Sequence, residues 1–303
     1  MSSRTNSATF WDRRIARARE LALEQAAARE ALTFYAGLAE YQRALFLTAS
    51  HVPGAAHFAG AVDVAAASAA VPAFLVWLER HAPAPLARMA GSLRDAATEW
   101  HGLMRDYLEQ EDPGAPSEED RDAPSADEGR FVAEPSAFVT EAVVQPYAEA
   151  AAIDRREHGG RFSNTSGRLA SRCPVCSRPP CLGVLREEGQ GARRMLLCGC
   201  CLTEWEYLRV VCPTCLEERF DALPVYTADT FPHVRIEACD TCRRYLKTID
   251  LTRNGLAVPL VDDIASLPLD LWAGEKGYRR LRANLLRTSD QSSPKTENLK
   301  PET

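Results

Sequence analysis

Four Cys-x-x-Cys pairs decide the fold: Cys173-Pro-Val-Cys176, Cys198-Gly-Cys-Cys201, Cys212-Pro-Thr-Cys215 and Cys239-Asp-Thr-Cys242. All ten cysteines of the 303-residue chain lie between the first and the last of these positions. A tetrahedral Zn or Fe ion takes four thiolates, and a two-residue gap lets one tight turn present two sulfurs to the metal. The four pairs therefore predict two metal ions per chain.

Each half of this stretch reads as a ribbon built on a hairpin. Residues 182–187 and 194–197 flank Gly189-Gln190-Gly191, and residues 225–227 and 233–237 form the second candidate hairpin. Tandem pairing gives a first cysteine group (Cys173, Cys176, Cys198, Cys201) and a second cysteine group (Cys212, Cys215, Cys239, Cys242). Crossed and nested pairings are alternatives. The nested one would close a site across only ten residues, 202–211.

Metal, not disulfides, is the expected role of these cysteines. The N-terminal 21 residues have no apolar h-region, and the most apolar window, 54–78, contains His57, Asp63 and Pro72, so neither a signal peptide nor a membrane span is expected. A cytoplasmic protein keeps its thiols reduced. A ribbon of about 40 residues has too little core to fold alone, whereas a structural metal supplies roughly 10–16 kcal/mol.

Charge and motif content exclude several classes of function. The net charge is −6, and residues 172–253 hold twelve Lys and Arg against eleven Asp and Glu, so no basic stripe for nucleic acid is expected. Gly-x-Ser-x-Gly, phosphate-binding glycine loops and His-Glu-x-x-His are absent from the sequence. We therefore expect no enzyme, no nucleic-acid partner and no membrane partner. His233, in the second hairpin, is a candidate to support the second cysteine group.

Apolar side chains recur at helical spacing before the cysteines. Phe34, Leu38, Tyr41 and Leu45 form one such face, and a further helix is expected near residues 135–152. A longer stripe predicts a single helix through Leu86, Met89, Leu93, Ala96, Trp100, Leu103 and Tyr107.

The predicted fold class is α+β, with an N-terminal helical bundle followed by two tandem rubredoxin-like or zinc-ribbon units. The expected segments are a helical domain at 1–155 with an acidic loop at 109–128, ribbons at 168–208 and 209–255, a helical segment at 256–287 and a disordered tail at 288–303.

Several segments also resemble the formate dehydrogenase accessory protein family FdhE. The similarity lies in Leu197–Trp205, in Arg209–Cys215 with its Cys-Pro-Thr-Cys pair, and in Glu237–Lys247 around Cys-Asp-Thr-Cys. Asp262–Leu267 and Val144–Tyr147 are similar to that family as well. The likeness is dense from about residue 130 to 280.

The resemblance implies a cytoplasmic, non-enzymatic factor required for the activity of respiratory formate dehydrogenases and contacting their catalytic subunit. It implies two rubredoxin-like metal centres, with iron favoured and zinc as the alternative, held by the eight paired cysteines. Thr203, Glu204 and Trp205 are then candidates for a partner-binding segment. Cys181 and Cys200 depart from the family pattern and leave the sulfur set of the first centre open.

Two other functions stay open at this point. A rubredoxin-like iron protein could carry electrons to the same enzyme, because thiolate hydrogen bonds and solvent exposure set the potential of such a centre. A nucleic-acid-binding ribbon is the weaker alternative, given the near-neutral charge balance. Trp205 and Tyr207 must either pack between the ribbons or face a partner.

Overall fold

The first half of the chain folds into helices. A computed structural model describes residues 3–50, 52, 54–109, 136–157, 170–286 and 300–301. The helices of this half are α1 (Ser3–Glu24), α2 (Arg29–Thr48), α3 (Phe58–Ala61), α4 (Val64–His81), α5 (Ala84–Asp95), α6 (Trp100–Glu109) and α7 (Ser136–Glu157).

Helix α7 is the centre of the bundle. Its residues 138–140 and 142–152 are buried, and α2, α4 and α6 pack around it. The predicted apolar face of α2 is confirmed, because Phe34 and Leu38 are buried and the Tyr41 ring packs on Phe74 of α4 at 5.2 Å, with the two rings tilted by 44°. Helix α4 begins at a capping residue, Asp63, whose carboxylate accepts the backbone N–H of Ala66 at 2.9 Å.

The prediction of one helix through residues 86–107 was wrong. The chain forms two helices, α5 and α6, and Ala96 between them is extended, with ψ of 141°. Glu99 precedes α6, and its carboxylate accepts the backbone N–H of Gly102 at 2.5 Å. Gly102 permits this contact, since a Cβ there would lie 2.0 Å from the carboxylate oxygen. The apolar spacing alone could not show this cap.

The second half forms a single sheet. Its strands are β1 (Pro180–Glu188), β2 (Gly191–Cys198), β3 (Glu204–Glu206), β4 (Val225–Thr227), β5 (Val234–Ala238), β6 (Arg244–Asp250), β7 (Arg279–Arg280) and β8 (Lys300–Pro301). The strand order is β3-β2-β1-β6-β5-β4-β8, with β7 beside β6.

Both predicted hairpins are present within this sheet. β1 pairs antiparallel with β2 through a turn at Gly189, whose φ is +59°, and β4 pairs antiparallel with β5. The two ribbons are joined by a parallel pairing that places Val184 of β1 opposite Ile249 of β6. A purely tandem arrangement of hairpins did not predict this joint.

Two short helices connect the sheet to the bundle. α8 (Pro259–Ala265) packs on α1, α2 and β6, and α9 (Leu267–Glu275) follows it directly. Arg17 of α1 pairs with Asp262 at 2.7 Å, and Lys247 of β6 pairs with Asp263 at 2.8 Å. One hydrophobic core runs from the helices into the first ribbon, where it includes Leu196 and Trp205.

The predicted fold class, α+β with two four-cysteine units, is confirmed. The residue boundaries of its domains stay predictions. The acidic loop lies almost wholly outside the described residues, and of the predicted disordered tail the structure describes only β8, which pairs with β4. Among the helices of the described residues, none is long and apolar enough to cross a bilayer.

Candidate metal centres

All four Cys-x-x-Cys pairs adopt the same backbone turn. In each, the N–H of the first cysteine donates to the carbonyl five residues later. These bonds are Cys173 to Arg178 at 2.8 Å, Cys198 to Thr203 at 3.0 Å, Cys212 to Glu217 at 2.9 Å and Cys239 to Arg244 at 2.9 Å. The turns are therefore a property of the repeated motif and not of one ribbon.

The residue after each pair has a left-handed backbone. Ser177, Leu202, Leu216 and Arg243 have φ of 59°, 53°, 61° and 55°, and within the described residues these are the non-glycine residues with positive φ. This conformation is uncommon for a leucine. It closes each turn so that both of its sulfurs face the same side. In three of the turns a backbone N–H points at the first sulfur, at 3.4 Å.

The eight paired sulfurs assemble into the two tandem groups. Within each group the four sulfurs all lie within 4.8 Å of one another. The short Sγ–Sγ distances are Cys173–Cys201 3.6 Å, Cys176–Cys198 3.3 Å, Cys212–Cys242 3.7 Å and Cys215–Cys239 3.6 Å. A tetrahedral centre with metal–sulfur bonds near 2.3 Å has sulfur–sulfur edges of about 3.8 Å, whereas a disulfide would need about 2.05 Å.

This donor set fits a thiophilic ion. Each group could hold one ion through four sulfurs, which suits Zn²⁺ or iron and not the oxygen-preferring Ca²⁺ or Mg²⁺. Four protein ligands also fill a tetrahedral shell, so such a centre keeps no open position for a substrate. The geometry does not distinguish zinc from iron.

One sulfur in each group is favoured as the thiolate, the form that binds metal. Burial opposes ionisation of Cys198, but hydrogen bonds from the thiols of Cys173 and Cys176 outweigh it and hold its pKa well below the ordinary value. In the second group, hydrogen bonds from Cys212 and Cys242 lower the pKa of Cys239 to about 2. Metal binding must then release the remaining thiol protons.

The two surplus cysteines lie outside both groups. The Cys181 thiol donates to the Leu197 carbonyl at 3.5 Å, and burial raises its pKa to about 12. Cys200 is buried beside the first cysteine group, where a hydrogen bond with Cys176 lowers its pKa. Neither sulfur replaces a member of the four.

The segment predicted to bind a partner makes contacts within the chain. Thr203 is buried and accepts a hydrogen bond from the Cys201 thiol at 3.3 Å. Glu204 forms a bidentate pair with Arg186, both distances being 2.7 Å. The Trp205 ring is buried, and its N–H donates to the Ala170 carbonyl at 2.7 Å. Partner contact by this segment stays a prediction.

His233 does not support the second cysteine group. Its Nε2 lies 2.8 Å from Asp262 on α8, in the contact between sheet and helices. Sequence reasoning instead missed Arg178, Arg282 and Tyr107, which lie beside the first cysteine group. The sequence gives one indication for Arg178, which is the fifth residue after Cys173 and therefore belongs to the turn. The spacing does not show where the Arg178 side chain lies.

A cleft opens beside the second cysteine group. Its volume is about 90 Å³, and Cys212 and Cys239 lie in its wall. Val210 and Phe220 stand at its edge with 45% and 79% exposure, and Leu216 nearby is 53% exposed. Arginines outnumber carboxylates in its lining, which includes Arg194, Arg209, Arg235 and Arg244 against Glu237.

Comparison with known proteins finds relatives of the second half of the chain. Models of the FdhE central domain and the FdhE C-terminal domain match residues 172–209 and 210–287. A "Protein FdhE homolog" of Aquifex aeolicus is 40% identical over 116 residues, which is 38% of this chain and 41% of that protein. One of Pseudomonas aeruginosa is 39% identical over 119 residues, 38% of each chain. The matched part thus spans about two fifths of each relative.

A solved structure extends the likeness in fold. The crystal structure of the FdhE protein from Pseudomonas aeruginosa superposes with a TM-score of 0.68 over 92% of this chain and 96% of that one, at 24% identity. At this identity the match concerns the fold alone. The two domain models cover both cysteine groups, as the resemblance implied. Residues 172–287 are therefore similar to the central and C-terminal domains of FdhE proteins.

Proposed function

We propose that this protein is a non-enzymatic maturation factor that binds the catalytic subunit of a formate dehydrogenase in the cytoplasm. The observation that carries the proposal is the pair of preformed four-sulfur groups within FdhE domains. The proposed ligands are the eight paired cysteines. Two metal ions per chain would hold the ribbons, with iron favoured and zinc as the alternative.

The closed geometry of the groups supports a binding role over a catalytic one. A hydrolytic metal needs an open coordination position for water, and four thiolates leave none. Both groups are also shielded by the chain, since three cysteines of each are buried. The metals would therefore act by shaping a surface that another protein recognises.

The most suitable surface for a client surrounds the second cysteine group. Val210, Leu216 and Phe220 expose apolar side chains there, next to the arginine-lined cleft. Exposed apolar groups rimmed by charge are typical of protein interfaces. By contrast, Thr203 and Trp205 of the segment 203–205 are buried, and only Glu204 of the three has an accessible side chain.

Binding of a purified formate dehydrogenase catalytic subunit tests this proposal. We expect the metal-loaded protein to bind it, and a Phe220→Ser substitution to weaken binding by about 2 kcal/mol, as for an aromatic anchor at an interface. Leu256→Ser is the matched control, because Leu256 is 77% exposed elsewhere on the chain. Absence of binding by the wild type would contradict the function, and equal binding by both variants would contradict the surface.

The second candidate is a rubredoxin-like electron carrier acting on the same enzyme. The N–H to sulfur contacts in the turns favour it, because such hydrogen bonds raise the potential of an iron–thiolate centre. Metal analysis after iron-rich and zinc-rich expression, combined with visible spectra of the oxidised protein, separates the candidates. Zinc in both centres of the active protein would exclude electron transfer.

A further inference from the structure

Two buried arginines meet at one tyrosine beside the first cysteine group. The guanidinium carbon of Arg178 lies 3.8 Å from the centroid of the Tyr107 ring. Arg282 donates to the Tyr107 hydroxyl and to Glu141, each at 3.2 Å. Tyr107 belongs to α6, whereas Arg178 belongs to the turn of the first cysteine pair. The two arginines therefore attach a helix of the bundle to the metal ribbon.

The same arginines lie against both turns of the first group. Arg178 accepts the Cys173 N–H through its own carbonyl. Arg282 lies against the Cys198–Cys201 turn, since its Nε is 3.4 Å from the point where a Cβ on Gly199 would stand. Cys200, which lies in this turn, interacts electrostatically with the guanidinium groups of Arg178 and Arg282. The sulfurs and the two cations thus share one buried region.

Arg178 has no carboxylate partner within the part of the chain that the structure describes. Arg178 and Arg282 are 8% and 5% exposed, and Glu141 pairs with Arg282. Among the described residues, Nη2 of Arg178 is buried without a hydrogen-bond partner. Burying an unpaired cation is costly. Four thiolates around a divalent ion carry a net negative charge, which is the missing counter-charge.

We propose that Arg178 and Arg282 are the counter-charges of the first metal centre, and that occupancy of this centre is coupled to the docking of helix α6. The coupling is reciprocal: a metal that stabilises the arginine–Tyr107 cluster is itself held more tightly when α6 is docked. The second centre has no such coupling. Its neighbours Arg243 and Arg219 already pair with Asp240 and Glu217, and among the described residues their side-chain hydrogen bonds reach no helix of the bundle.

Arg178→Met in the full chain tests this proposal, with Arg244→Met as the matched control. Arg244 occupies the same position of its turn, since its carbonyl accepts the Cys239 N–H as that of Arg178 accepts the Cys173 N–H. Both variants and the wild type are loaded with zinc. Zinc release to a competing chelator and hydrogen exchange of residues 100–109 are then measured on the same samples.

In Arg178→Met we expect the first centre to lose about 10–100-fold in zinc affinity, as is usual for a disrupted outer partner of a metal ligand. Exchange in α6 should quicken even with both ions bound. Tyr107→Phe, which keeps the ring and removes the hydroxyl, should give a smaller change in the same direction. Arg244→Met should leave α6 exchange at the wild-type rate.

Two results would overturn the proposal: wild-type exchange and zinc release in Arg178→Met, or equal effects of the two arginine substitutions. The inference rests on the first group holding a metal, which the zinc content of the wild type measures separately. Fewer than two ions per wild-type chain would overturn that assignment, and the coupling with it. The formate dehydrogenase subunit is not needed for any of these measurements, so failure of the proposed partnership would leave the result unaffected.

Discussion

The two cysteine groups share their backbone turns and differ in what surrounds them. The first lies in the main core, where Gln145 of α7 donates to the Gly199 carbonyl at 2.8 Å and Trp205 packs nearby. The second forms a small cluster of its own with Leu223. Equivalent motifs are therefore in unequal positions: one centre is part of the interface with the helices, and the other lies at the outer part of the sheet.

Removal of one ligand from each group should give the largest contrast. Cys173→Ser is expected to lose the first ion and to destabilise the contact between ribbon and bundle by several kcal/mol of the roughly 10–16 kcal/mol that a structural zinc supplies. Cys212→Ser should lose only the second ion, with increased hydrogen exchange confined to residues near 212–242. Metal analysis and exchange mapping measure both. If both variants increased hydrogen exchange over equally large parts of the chain, the two centres would not differ in their structural role.

A buried ion cluster offers a second way to test how the second ribbon is held. Lys247 of β6 is fully buried, with Nζ 2.8 Å from Asp263 and 2.6 Å from Asp270. Without the Lys247 ammonium, the buried carboxylates of Asp263 and Asp270 lose part of their positive counter-charge. We therefore expect Lys247→Met to lower the free energy of unfolding by about 3–5 kcal/mol.

The measurement is urea unfolding of the zinc-loaded protein, and exposed Lys276 provides the control. Lys276→Met should change stability by less than about 0.5 kcal/mol. If Lys247→Met were equally mild, the second ribbon would depend on its metal and its strands and not on the contact with α8 and α9.

The two cysteine groups can also be compared through one aromatic residue near each of them. Trp205 is 7% exposed in the core of the first ribbon, whereas Phe220 is 79% exposed beside the second cysteine group. We expect Trp205→Ala to cost about 3–5 kcal/mol of stability and Phe220→Ala to cost about 0.5 kcal/mol or less. Thermal melting of the zinc-loaded variants checks both. A harmless Trp205→Ala would restore that side chain as a candidate for partner contact.

The cysteine spacing predicted the local structure well. The turns, the hairpins and the membership of both groups depend on residues within about 40 positions of each other, and such local geometry is specified by motif and turn chemistry. The parallel pairing of Val184 with Ile249 was missed because residues 244–250 were not among the predicted strands, and local spacing does not specify which distant strand a segment joins.

The surroundings of the sites could not be predicted for a related reason. Arg178 meets Tyr107 from 71 positions away, and Arg17 meets Asp262 across 245 positions. A single charged residue carries no periodic signal, so only the folded arrangement shows its partner. The break before Trp100 was missed similarly, since it depends on the Glu99 carboxylate reaching a glycine N–H and not on apolar spacing.

The smallest effect is expected at the two surplus cysteines, and it tests whether the first centre is a four-sulfur site like the second. Cys181 bonds to the Leu197 carbonyl, and Cys200 lies beside Cys176 without being one of the four grouped sulfurs. Serine keeps a donor at both positions, so Cys181→Ser with Cys200→Ser should retain two ions per chain with little change in melting. Inductively coupled plasma analysis of the double variant measures this. Loss of one ion would mean that the first centre uses a different sulfur set, and the symmetry of the four backbone turns would then not extend to the metals.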